Sequence, residues 1–119
     1  MNIYVTRDSV AAGDDIDAPH GRWFSFPDTM PVMEVIARIV TAGYLAKISG
    51  GKATWSVVSG FPIAVVAQQW TEPRPVSPRH VKASELENKN GVICIHFKYH
   101  TQLDPEIVLE GLRRKFRFK

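Results

Sequence analysis

Asp14, Asp15, Asp17 and His20 bring three carboxylates and one imidazole into residues 14–20. Hard oxygen donors at this density suit Ca²⁺, Mg²⁺ or Mn²⁺. The calcium-loop template fails, however. Counted from Asp15, its glycine position falls on His20 and its bidentate glutamate position on Phe26. Aspartates also cap turns, and this loop contains Gly13 and Pro19. From Asp8 to His20 there is no basic residue, so the segment forms a local negative field that favours a basic partner. Asp8, Asp14, Asp15, Asp17 and His20 are therefore the candidate partner-binding residues. A metal-dependent enzyme would draw its ligands from Asp14, Asp15, Asp17 and His20.

Cys94, His96 and His100 share parity on an expected strand. Same-face neighbours lie about 7 Å apart, which spreads the three too widely for one tetrahedral zinc. A fourth ligand is also missing. Cys94 sits mid-strand in V-I-C-I-H, where a packed, inert thiol is expected and not a nucleophile. The chain has no G-x-S-x-G, Walker loop or H-E-x-x-H. Ser49-Gly50-Gly51-Lys52 lacks the Walker spacing. No catalytic residue and no cofactor is assigned, and a non-enzymatic reading is favoured.

The opposite charge gathers at the far end. Gly111–Lys119 holds Arg113, Arg114, Lys115, Arg117 and Lys119, five of the 15 Lys and Arg, and no acid. The net charge of +3 thus conceals two fields of opposite sign. Phe116 and Phe118 interleave with these cations, the pattern a nucleic-acid contact would use. Cations in a last helical turn are also favoured by the helix dipole alone.

The 119 residues, 45% hydrophobic and 23% charged, are the size and composition of one globular domain spanning 1–119. One cysteine excludes an intrachain disulfide and fits a reducing compartment. No apolar run reaches the ~20 residues of a spanning helix, and Arg7 and Asp8 interrupt any leader-like start. A cytoplasmic location and no membrane partner are the expectations.

Periodicity places the elements. Residues 2–7 and 22–26 read as strands. Trp23, Phe24 and Phe26 make both faces of the second apolar, so one face must meet a helix, a partner or a second subunit. Val32, Val35, Ile36, Ile39 and Val40 form the stripe of a helix over 30–42. Asp28 or Thr29 is placed to cap its start, and Gly43 its end. Residues 53–58 and 63–70 read as strands, the second apolar without alternation and so covered on both faces. Trp23, Trp55 and Trp70 fall on strands, as core. Thr71–Arg79, with three prolines, is an extended connector. Asn90-Gly91 marks a turn before a strand over 92–99. Asp104-Pro105-Glu106 starts a helix over 105–116, with Ile107, Val108, Leu112 and Phe116 inward.

The order β-β-α-β-β-β-α predicts an α+β fold, with a mainly antiparallel sheet of about five strands and two helices on one face. Its first half allows a β-grasp-like arrangement. In general character, without a shared motif, the chain is similar to bacterial toxin-neutralising immunity proteins. That implies a protein-binding domain acting by surface occlusion of another protein. A nucleic-acid-associated protein and a metal-dependent enzyme are the alternatives, and a homodimer is compatible with each.

Overall fold

The computed structural model describes residues 1–116. β1 (Asn2–Arg7) turns Ile3, Val5 and Arg7 inward and pairs antiparallel with β2 (Arg22–Ser25). α1 (Val32–Thr41) buries Val32, Val35, Ile36 and Ile39, the expected stripe. It starts later than expected, behind Pro31 and without a side-chain cap. Asp28 does not cap it and instead pairs with the terminal amine of Met1 at 2.7 Å. At the other end Gly43 takes φ 79° and its N–H reaches the Val40 carbonyl, the conformation only glycine adopts cheaply.

β3 (Thr54–Val58) and β4 (Pro62–Ala67) form a hairpin, and every residue of β4 is buried. β5 (Arg74–Pro75) and β6 (Asn88–Lys89) are two-residue strands. β7 (Val92–Tyr99) follows the Asn90-Gly91 turn, where both residues have positive φ. α2 (Pro105–Lys115) begins at Asp104, whose carboxylate accepts from the Glu106 N–H at 2.9 Å.

The seven strands form one mixed sheet in the order β2-β1-β7-β3-β4-β5, with β6 against β7. The α+β class and the order of the long elements agree with the sequence, and three details do not. The sheet has seven strands instead of about five, because the proline-rich connector and the polar loop each contribute one short strand. It is mainly antiparallel, as expected, but one pairing departs: β7 enters between β1 and β3 and runs parallel to β1. The helices also lie on opposite faces. Trp55, Val57, Ala64 and Val66 join α1 in the main core with Ile3, Val5, Ile95 and Phe97. Val65, on the reverse of β4, packs with Leu109 of α2 and Val76. An all-buried strand needs a cover on each side, and α2 supplies the second.

Within α2 the buried positions are Pro105 and Leu109, with Val108 and Leu112 partly covered. Ile107, expected inward, is 68% exposed. Helical spacing from Pro105 selects 109 and 112, and places 107 off that stripe. On the α2 side, the β2–β1–β7 half of the sheet has no helix over it among the described residues. Tyr4, Thr6, Trp23, Cys94 and His96 line that half. Of the three tryptophans only Trp55 is core, whereas Trp23 is 62% exposed. Trp70 lies past the end of β4 beneath the Arg74 guanidinium, 4.2 Å from the ring centre.

Candidate functional site

The acidic loop is an ordered turn. Residues Ala12–Asp17 wind as a short 3₁₀ helix, held by Arg7 at its base. Arg7 shares the parity of Ile3 and Val5, so its side chain enters the structure and requires an anion there. Asp14 answers it with a two-pronged contact, 2.8 Å from Nη1 and 3.2 Å from Nη2. The same carboxylate accepts from the Val10 N–H at 3.0 Å. The Arg7 hydrogen bonds, then that of Val10, hold the Asp14 carboxyl down at about 2. Among the described residues Arg7 Nε has no partner, so the Asp14 pair and the Asp8 carbonyl, 3.0 Å from Nη1, compensate the guanidinium.

His20 closes the loop from the other side. Its Nε2 lies 3.1 Å from Ser9 Oγ and 3.6 Å from Asp14, and its carbonyl accepts from the Tyr44 hydroxyl at 2.7 Å. Burial of that phenol raises its pKa to about 12. Gly21 follows against the Tyr4 ring. A Cβ there would stand 1.8 Å from the Tyr4 hydroxyl, so no larger residue fits without moving the ring.

Asp8 belongs elsewhere. It extends the β1–β7 seam, with Oδ1 2.8 Å from His96 Nε2 and Oδ2 accepting from the Tyr99 N–H at 2.9 Å. Partial burial raises the Asp8 pKa, but the Tyr99 and His96 hydrogen bonds outweigh it, and the net shift is downward. His96 Nδ1 meets Thr6 Oγ1 at 2.7 Å. Hydroxyl, imidazole and carboxylate thus stand in the sequence of a hydrolase triad. They lie on a sheet face that α2 does not cover, between the internal strands β1 and β7. The contacts stitch the two strands together.

Of the five candidate partner-binding residues, Asp8, Asp14 and His20 make side-chain contacts within the fold. Asp15 and Asp17 remain exposed, with no side-chain bond among the described residues. Between them Ile16 is 87% exposed. Sequence reasoning passed over Ile16 and Arg7. The signals were present: an aliphatic residue inside an acidic run, and a cation on the inward phase of a strand.

Of the four metal candidates, Asp14 is engaged by Arg7. Among the described residues no three His, Cys, Asp or Glu side chains converge as a metal site. Cys94 directs its thiol to the Val92 carbonyl at 3.8 Å. His100 meets Ser56 Oγ at 2.8 Å, and burial, then Lys98, lowers its pKa. The basic end is also engaged in part. Arg113 donates to the Pro75 carbonyl, Arg114 pairs with Glu110, and Lys115 lies over Phe116. Arg117 and Lys119 lie outside the described residues. No described helix is long and apolar enough to cross a membrane.

Set beside protein-family models, curated proteins and solved structures, the chain matches none of them.

Proposed function

We propose that this chain is a non-enzymatic protein-binding domain whose acidic loop contacts a basic surface on another protein. The observation that carries this reading is Ile16, exposed between two unpaired carboxylates on a loop that Arg7, Asp14, Ser9 and His20 hold in place. An apolar anchor flanked by charge is the layout of a binding patch: the side chain gains by desolvation, and the carboxylates steer the approach. A loop already ordered loses little entropy when bound. Inhibition by surface occlusion, as in an immunity-type protein, needs no more chemistry than this. For the architecture we favour the β-grasp-like reading. Its support is the opening hairpin, the helix that follows, and the parallel pairing of first and last long strands.

The test starts with capture from the native cell, using wild type and an Asp15→Asn/Ile16→Ser/Asp17→Asn variant as baits. Calorimetric titration of the purified captured protein follows, at low and high salt. We expect at least tenfold weaker binding by the variant, about 1.4 kcal/mol, slower association and unchanged melting. Equal affinity would remove the loop from the interface. Capture of nucleic acid alone, released by salt, would favour the basic helix end.

A further inference from the structure

β2 is an open edge of the sheet. The Phe26 N–H donates to the Met1 carbonyl at 3.1 Å, and the Met1 amine donates to the Phe26 carbonyl at 2.6 Å. This mutual pair fixes the alternation of the ladder. Counting along the register, Ile3–Phe24 and Val5–Arg22 are the bonded pairs. The amides and carbonyls of Trp23 and Ser25 therefore point away from β1. Both residues are exposed. Pro27, the next residue of that parity, has no N–H, so the open run ends at Ser25.

The strand is aromatic on both faces. Trp23 packs only its inner edge on Tyr4, with ring centres 4.9 Å apart. Phe24 and Phe26 stack on the other face, 6.0 Å apart. Its charges are ordered as well. Arg22, exposed, opens the strand and lies over the Phe24 ring at 4.9 Å, and Asp28, 88% exposed, lies in the turn just beyond its end, with Oδ1 on the Met1 amine and the rest of the carboxylate facing outward. Reversed, the same strand offers an anion where the first offers a cation. The edge is therefore complementary to itself in antiparallel pairing.

We infer that β2 pairs with β2 of a second copy of this chain about a twofold axis at Phe24, extending the sheet across a homodimer. In that register Trp23 faces Ser25 of the second copy, and the reverse, so the outward amides and carbonyls form four ladder bonds. The indole lies over a small residue, and Phe24 meets its own equivalent. Gly21 faces Pro27, which needs no amide from it. Arg22 approaches the end of the second copy's strand, where Asp28 sits. The acidic loop's Asp15 and Asp17 take no part, so this inference stands apart from the function proposed above.

Sedimentation or light scattering over micromolar to millimolar concentration tests the pairing. The mass should rise from 13.4 kDa toward twice that value. Ser25→Pro removes only an outward N–H, in an edge position where proline is tolerated. It should remain monomeric at the top of the range with an unchanged circular dichroism spectrum. Arg22→Glu tests the same edge without touching the backbone. It should weaken dimerisation at least tenfold, because an anion would then approach Asp28 of the second copy. A wild type that stays monomeric throughout would overturn the inference. So would a dimer indifferent to Arg22→Glu, or one that a folded Ser25→Pro variant retains.

Discussion

Arg7 and Asp14 meet through two parallel N–H···O contacts at 2.8 and 3.2 Å, and this pair separates an acid engaged within the fold from Asp15 and Asp17, which stay exposed. One end is rooted in β1, beside Val5. The other is the third residue of the 3₁₀ turn. Neutralising Asp14 therefore leaves a nearly buried guanidinium with half its contacts, whereas neutralising Asp15 or Asp17 removes only surface charge.

Asp14→Asn should cost about 2 kcal/mol, the scale of a hydrogen bond to a charged group. The Asp15→Asn/Asp17→Asn double variant should stay within about 0.5 kcal/mol of wild type. Urea denaturation at neutral pH distinguishes the two. Equal stability for both variants would mean that the Arg7 contact contributes nothing.

Acid titration should show the same pair. The folded-state pKa of Asp14 lies at about 2, below its ordinary 3.8. A depressed carboxyl stabilises above its ordinary value and loses that contribution as pH falls through the folded one. Melting temperature should thus decline steadily from about pH 4 to about pH 2, and less steeply in Asp14→Asn. Asp8, also lowered, maintains a residual slope. Parallel profiles for the two proteins would contradict the assignment.

Ile36→Asp should unfold the chain or cost more than about 4 kcal/mol, because an unpaired charge would enter the centre of the core. Ile36 has no exposed surface. Circular dichroism across a thermal ramp is sufficient, and a shift of a degree or two would place α1 outside the core.

Gly21→Ala should push the Tyr4 ring off Trp23. The added methyl group falls 2.4 Å from Tyr4 Cζ as well as against its hydroxyl. Near-ultraviolet circular dichroism should change, and stability should fall by no more than about 1 kcal/mol, because the ring end that must move is not enclosed in the core. An unchanged spectrum would show that the ring moves without consequence.

The elements that strong local signals define were legible in the sequence. The α1 stripe, the Asp104 cap of α2 and the Asn90-Gly91 turn each lie within a few residues of chain. What was not legible depends on distant parts of the molecule. Nothing near Asp28 announces that the terminal amine will claim it, and nothing in α2 says which sheet face it will cover. The acidic loop shows both cases. Its charge is plain from Asp8 to His20, but Asp14 could be told from Asp15 only by following Arg7 inward through the phase of β1. Ile107 was misplaced for a related reason: the apolar residues 107–109 fit more than one stripe until Val65 and Val76 select Leu109.

The position of β7 also governs how the chain comes together in time. β1 and β3 are both complete by residue 58, yet they are not neighbours in the sheet. The strand that joins them spans 92–99. On a ribosome making the chain from its start, the β1–β2 and β3–β4 hairpins emerge first as separate pieces. The edges of β1 and β3 that β7 later fills are open until it arrives. Closing such distant pairs is slow because loop entropy is lost before the contacts repay it. During this interval Ile3, Val5 and Val57 lack Ile95 and Phe97 of the finished core, and unpaired strand edges of this kind are where chaperones or premature aggregation act.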